Sequence, residues 1–293
     1  MKSIRVGDIP VAYIEEGEGP PVILAHCSSA SHRMWRPLID ALKGSHRVIA
    51  PDLIGYGQSG GWPANRPYDA QTEAQILMLL ASVAGEPAHF VGHSYGGAIS
   101  LEAVRLLRGY VRGMTLIEPV AFHLLRQAGK DVELQAVESV IKAVLEAIAR
   151  GERGAAAAAY MGFWMGKLPW WMSPAPFKQN IVATIDKVAL EFLAMRWPSA
   201  PPMDVYTGLE VPALLIHGSK TRRAALAVTQ VLADLLPDVR TASVDGAGHL
   251  SPISHTAAVN RLIVEHIGEC TAAAALEPEI LASRSAASQS RAG

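Results

Sequence analysis

Residues 89–97 read HFVGHSYGG, and they join an apolar strand-like run to a segment with helical spacing. The run 88–91 is short and apolar, as in a buried strand, and apolar residues recur at helical intervals over 98–107. Between them, Gly92 to Gly96 match the pattern G-x-S-x-G, in which small residues let a neighbouring chain pass close to a serine on a strained corner. The flanking strand and helix argue against a chance match. We therefore predict that Ser94 is a nucleophile.

Length and composition limit the class of protein. A chain of 293 residues is long enough for one large or two small domains with a sizeable core. Its 26 basic residues nearly balance 27 acidic ones, which gives no charge signal for nucleic acid or an anionic membrane. Two cysteines, Cys27 and Cys270, form no disulfide framework, and the first residues lack the apolar stretch of a signal peptide. We expect a cytoplasmic protein without a nucleic-acid or membrane partner.

Strand-like runs alternate with single helical segments over much of the chain. This alternation predicts a parallel sheet with right-handed crossovers, in which reactive residues gather at the carboxyl ends of the strands. The strand-like runs are 4–6, 11–14, 21–25, 47–50, 88–91, 113–117, 211–216 and 241–244.

The alternation stops at residues 120–205, where helical spacing recurs without a strand-like run. We therefore predict a core built from 1–119 and 206–270, a helical insertion at 120–205, and an Ala- and Ser-rich flexible tail at 271–293. The bulky aromatic residues of the insertion are expected mainly to pack it onto the core, and the sequence does not decide which of them line a pocket. They are Trp164, Trp170, Trp171, Phe177, Phe192 and Trp197.

From about residue 4 to about residue 267 the chain resembles the α/β-hydrolase family, on the strength of the G-x-S-x-G turn and the strand–helix alternation. The resemblance implies an α/β fold with a mostly parallel central sheet flanked by helices, and it makes the insertion a cap over the site. It also implies a base: His249, in the Gly-rich loop after the last strand, stands where the family has its catalytic histidine.

The expected acid departs from the family pattern. Most members have an Asp a few residues after the strand that corresponds to 211–216, but residues 217–223 read HGSKTRR, with Thr221 near that place and no carboxylate. Some relatives, haloalkane dehalogenases among them, take the acid from the end of the preceding strand, where Glu118 stands. We predict Glu118 as the acid, with Asp245 as the alternative.

Two backbone N–H groups are expected to bind the oxyanion. One belongs to Tyr95, the residue after the nucleophile, at the N-terminus of a helix. The other is assigned to Ser28 or Cys27 in the loop after strand 21–25, where the family usually has His-Gly and this chain has His26-Cys27.

Signals for a cofactor or metal are weak. Residues 55–60 match G-x-G-x-x-G, but Trp62, Pro63 and Pro67 follow instead of a helix, so we interpret the match as the turn after Asp52. The histidines and cysteines lack the spacing of metal ligands. We predict neither cofactor nor metal.

These residues together predict acyl transfer to water, with a small-molecule ester or lactone of a moderately apolar acid as substrate. C–C bond hydrolysis of a diketone, cofactor-free perhydrolysis, and ligand binding without catalysis remain alternatives. Dehalogenase and epoxide hydrolase activities are disfavoured, since the relatives with those activities have Asp where Ser94 stands. Whether the chain forms a homo-oligomer is left open.

Overall fold

A computed structural model describes residues 1–107, 109–165, 170–195 and 200–289, with backbone alone for Met195 and for 277–289. Eight strands form one sheet in the order β1-β2-β4-β3-β5-β6-β7-β8. The pairs β1·β2 and β2·β4 are antiparallel, and the other neighbours are parallel. The strands are β1 (Lys2–Val6), β2 (Ile9–Glu16), β3 (Pro21–Ala25), β4 (Arg47–Pro51), β5 (Ala88–His93), β6 (Val111–Ile117), β7 (Ala213–Gly218) and β8 (Val239–Val244).

The central strand β3 shows why the sheet is covered on both faces. All five of its residues are buried. Successive side chains point to opposite faces, so Val22 and Leu24 enter one apolar cluster while Ile23 and Ala25 enter the other. A continuous apolar run is the pattern expected of a parallel strand with helices on both sides. The predicted α/β architecture with a mostly parallel sheet is confirmed.

The helices follow the apolar spacing of the sequence. Helix α2 begins where Asp69 accepts a hydrogen bond from the Gln71 N–H, and it ends at Gly85, whose φ of 80° is left-handed. The helices are α1 (Arg36–Leu42), α2 (Ala70–Ala84), α3 (Tyr95–Leu107), α4 (His123–Gln127), α5 (Asp131–Ala149), α6 (Arg153–Met165), α7 (Ala175–Met195), α8 (Arg223–Leu235), α9 (Ser251–Ser254) and α10 (Thr256–Gln289).

The region between β6 and β7 contains the helices α4 to α7 and, among its described residues, no strand. Helices therefore occur where the sequence predicts them, although Trp197 lies outside the described residues. Whether this insertion works as a cap stays a proposal. Helix α10 continues to Gln289 and so includes most of residues 271–293, for which the composition predicts a flexible tail. The mobility of these residues stays a prediction. Among the described residues, none of the helices combines the length and the apolar character needed to cross a membrane.

Candidate active site

Ser94 lies at a strained corner between β5 and α3. Its φ is 56°, a left-handed value that a non-glycine residue rarely adopts. The two flanking glycines explain how the corner fits: a Cβ on Gly92 would lie 2.5 Å from the carbonyl oxygen of Gly96, and a Cβ on Gly96 would overlap the carbonyl oxygen of Ala25. The glycines of the G-x-S-x-G pattern are thus required by close packing of backbone against backbone.

The three residues predicted as nucleophile, base and acid lie in one hydrogen-bonded chain. The Ser94 hydroxyl donates to His249 Nε2 over 2.9 Å, and His249 Nδ1 donates to Glu118 Oε2 over 2.6 Å. All three residues are buried. The alternative acid, Asp245, instead accepts a hydrogen bond from Ser219 Oγ at an exposed position. The structure brings Glu118, and not Asp245, to the imidazole.

The environment of Glu118 favours its ionised form. Burial alone would raise the pKa of this carboxyl, but hydrogen bonds from His249, the Gly218 N–H and the Thr221 hydroxyl outweigh burial, so its pKa lies below the ordinary value. The Gly218 N–H donates over 2.8 Å to Oε1, and Thr221 Oγ1 donates over 2.5 Å to Oε2. Thr221 lies near the place where the family pattern has an Asp. Its hydroxyl donates to Glu118, the predicted acid, a contact that the sequence did not reveal.

Two further side chains contact His249, one at its backbone and one at its ring. His93 Nε2 donates to the His249 carbonyl oxygen over 2.8 Å. Burial, together with the neighbouring His249, lowers the pKa of His93 to about 3, so its ring is neutral near neutral pH. On the other side, the indole of Trp164 in α6 stacks on the imidazole, with ring centroids 3.6 Å apart and planes 17° apart. The sequence identified Trp164 only as one of the bulky aromatic residues of the insertion, because its position in the sequence does not show what it contacts.

The candidate oxyanion donors belong to two separate segments of the chain. Tyr95 begins α3, and the loop of Cys27 and Ser28 follows β3. His26 Nε2 accepts a hydrogen bond of 2.9 Å from the Leu53 N–H, which ties the start of this loop to the segment after β4. Burial raises the pKa of Cys27 to about 12, so its thiol stays protonated and does not compete with Ser94 as a nucleophile.

A small cavity of about 60 Å³ opens onto Ser94 and His249. This volume holds about two water molecules. The loop residues Cys27 and Ser28 contribute to its wall, and most other lining groups are apolar. The apolar lining side chains are Ala30, Met161, Trp164, Phe177, Ile181, Leu250 and Ile253.

The glycine-rich match at residues 55–60 forms turns after β4. The buried carboxylate of Asp52 accepts hydrogen bonds from the backbone N–H groups of His32 and Gln58, and a Cβ on Gly57 would overlap that carboxylate. Gly57 has a φ of 55°. The match is therefore part of a turn built around Asp52, as the sequence indicates.

One cluster of metal-ligand type occurs among the described residues. His89, His266 and Cys270 place one ligand atom each within 4.8 Å of one another. Thr115 hydrogen-bonds both imidazoles, and burial raises the pKa of Cys270 to about 11, which favours the protonated thiol. The cluster lies where α10 packs against β5 and β6, and each imidazole has Thr115 as a hydrogen-bond partner.

Comparison with known proteins identifies the fold family. Residues 20–256 match the family model of the alpha/beta hydrolase fold. RutD of Azorhizobium caulinodans, whose assignment as a carbamate hydrolase is itself provisional, is 24% identical over 276 residues, covering 90% of this chain and 97% of RutD. A haloalkane dehalogenase of Sphingobium indicum is 30% identical over 124 residues, covering 41% of this chain and 42% of the dehalogenase. A thermophilic esterase from Thermogutta terrifontis superposes with a TM-score of 0.71 at 23% identity, over 89% of this chain and 94% of the esterase. The chain therefore belongs to the α/β-hydrolase fold family.

Proposed function

We propose that the chain is a serine hydrolase that cleaves a carboxylic ester or lactone through an acyl-enzyme intermediate. The observation that carries this proposal is the hydrogen-bonded chain from Ser94 through His249 to Glu118, whose distances are 2.9 and 2.6 Å. A nucleophile within reach of a base that is itself oriented by a carboxylate is the arrangement that nucleophilic catalysis needs.

In the first half-reaction Ser94 Oγ attacks the carbonyl carbon, and its proton passes to His249 Nε2. Glu118 stabilises the imidazolium, and the N–H groups of Tyr95 and of Cys27 or Ser28 bind the oxyanion. His249 then protonates the leaving oxygen, so the C–O bond breaks and the acyl group stays on Ser94. In the second half-reaction His249 takes a proton from water, which attacks the acyl carbon, and the carboxylic acid leaves as Ser94 regains its proton. No cofactor enters this proposed cycle.

The size and lining of the cavity favour a substrate with a small and moderately apolar acyl group. Its volume of about 60 Å³ and its apolar lining leave little room for a long chain. The proposed substrate is therefore a short-chain ester or a compact lactone.

A labelling experiment tests the proposal. A fluorophosphonate probe should modify the wild-type chain, and Ser94→Ala should abolish the label because the probe bonds to the activated hydroxyl. Ser139→Ala is the matched control, since this serine is exposed on α5 and its hydroxyl donates to the Gln135 carbonyl oxygen. Absence of labelling in the wild-type chain would instead favour ligand binding without catalysis.

Substrate panels separate the enzymatic alternatives. A series of p-nitrophenyl esters of rising chain length should show turnover that is greatest for the shortest acyl groups. Diketone cleavage tests C–C bond hydrolysis, and peracid formation tests perhydrolysis. Carbamates join the panel because the Azorhizobium relative is named as a carbamate hydrolase. Turnover of a diketone with no ester hydrolysis would refute the ester assignment.

We also propose a cytoplasmic location. Both cysteines, Cys27 and Cys270, are free and buried. Unpaired thiols fit a reducing compartment.

A further inference from the structure

One face of helix α7 is polar, from the exposed Asn180 through the half-buried Thr184 to the buried Lys187 and Glu191. Asn180, Thr184, Lys187 and Glu191 follow one another at intervals of three or four residues, so they share one face of the helix. We call these four residues the polar face of α7. Lys187 is 8% exposed and Glu191 is 2% exposed. Buried polar groups cost free energy unless they find partners, so the partners of this face indicate what it does.

Three contacts of the polar face reach the loop that is proposed to supply an oxyanion donor. Ser28 Oγ donates to Glu191 Oε2 over 2.5 Å. Asn180 Nδ2 donates to the Ser29 carbonyl oxygen over 2.6 Å, and Thr184 Oγ1 donates to Ser29 Oγ over 2.7 Å. Ser29 has a φ of 59°, a left-handed value that costs free energy for a serine. The loop conformation is therefore held by contacts from α7.

A buried ion cluster anchors the same face to the core. Lys187 Nζ lies 2.7 Å from Glu191 Oε1 and 2.7 Å from Glu73 Oε1 on α2. Burial alone would lower the pKa of Lys187, but the two carboxylates outweigh burial and raise it above its ordinary value. The ammonium is therefore charged, and the hydroxyl of Tyr56 adds a 2.8 Å hydrogen bond to Glu191.

The cluster also reaches the residue that follows the nucleophile. Lys187 Nζ donates to the Tyr68 hydroxyl over 3.0 Å, and that hydroxyl shares a short hydrogen bond with the hydroxyl of Tyr95. The ammonium lies 5.1 Å from the centroid of the Tyr95 ring, within range of a cation–π interaction. Through Glu191 the cluster contacts Ser28, and through Tyr68 it contacts Tyr95.

We propose that the polar face of α7 positions both oxyanion donors, which makes Lys187 and Glu191 positioning residues of the hydrolase. The inference rests on the proposed function. Its physical basis is that oxyanion donors stabilise a transition state only when they are held about 2.7–3.1 Å from the developing charge. The network contacts Ser28 and Tyr95 through their side chains and not through their backbone N–H groups.

Kinetics of three variants test this role. Ser28→Ala, Glu191→Gln and Lys187→Met each remove one link, and each should lower kcat for p-nitrophenyl acetate about 10- to 100-fold, less than deletion of a donor outright. KM should stay within about threefold, because the donors act mainly in the transition state. Affinity for a trifluoromethyl ketone, which forms an oxyanion on Ser94, should fall in parallel with kcat/KM.

The control is Asp186→Asn on the same helix. Asp186 pairs with Arg153 over 2.8 Å, and both side chains are 51% exposed, so this variant should behave as wild type. Lys187→Met leaves two buried carboxylates without their partner, which can prevent folding. Ser28→Ala leaves the ion cluster intact, so it tests the positioning role independently. Melting temperature and circular dichroism establish which variants are folded.

The outcomes are distinguishable. Folded Ser28→Ala and Glu191→Gln variants with kcat within twofold of wild type would overturn the positioning role while the proposed function stands. A rise in KM at unchanged kcat would also overturn it, since it would mean loss of ground-state binding. A wild-type chain that neither takes the label nor hydrolyses esters would refute the proposed function and this inference together.

Discussion

At the scale of single residues, Glu118 gives the sharpest prediction. Glu118→Gln should keep the fold but lower turnover by about 10⁴-fold, because an amide neither fixes the required imidazole tautomer nor stabilises the imidazolium. Steady-state kinetics with a short p-nitrophenyl ester measure the loss. Asp245→Asn is the matched control, since Asp245 contacts Ser219 and not His249. Near-normal turnover in Glu118→Gln, or an equal loss in Asp245→Asn, would refute the assignment of the acid.

From the sequence, Ser94 could be proposed because of its turn between a strand-like run and a helical segment, and His249 and Glu118 because of the places that the family resemblance gives to the base and the acid. The support that Thr221 gives to Glu118 could not. A hydroxyl takes many partners, and only the fold brings residues 103 positions apart to 2.5 Å. The absence of a carboxylate near residue 221 indicated that the acid lies elsewhere in the chain. It did not indicate that Thr221 would hydrogen-bond to Glu118.

At the scale of elements, helix α6 limits the space beside the predicted nucleophile. Its Trp164 covers the imidazole of His249 and lines the cavity. Trp164→Ala should therefore raise kcat/KM for hexanoate relative to acetate esters by about 10-fold or more, because the added space accepts further methylene groups. Trp171→Ala is the control, since Trp171 belongs to the same insertion and is 74% exposed. An unchanged chain-length profile in Trp164→Ala would show that other groups limit the cavity.

The elements themselves were predictable to different degrees. The unbroken apolar run 21–25 indicated β3, since such a run is a local signal. The polar face of α7 has no local signal of this kind. The burial of Lys187 and Glu191 depends on partners such as Glu73 and Ser28, which lie more than 100 residues away in the sequence.

At the scale of the whole molecule, several histidines are buried in the folded chain without charge. Burial lowers the pKa of His26 to about 4, of His93 to about 3 and of His266 to about 4. In an unfolded chain the same groups would take up protons near pH 6.5. Their contribution to stability is therefore fully present above about pH 6.5 and is lost as the pH falls toward 4.

The free energy of unfolding should accordingly fall between pH 6.5 and 5, by up to about 1.4 kcal/mol per pH unit for each of these histidines. Urea titrations at steps from pH 7.5 to 5 measure the slope, and this window lies above the range in which most carboxylates take up protons. His266→Gln should make the slope shallower by about one proton, because it removes one imidazole that only the unfolded chain protonates in this window. A free energy that stays constant across the window would mean that the buried imidazoles accept protons without unfolding the chain.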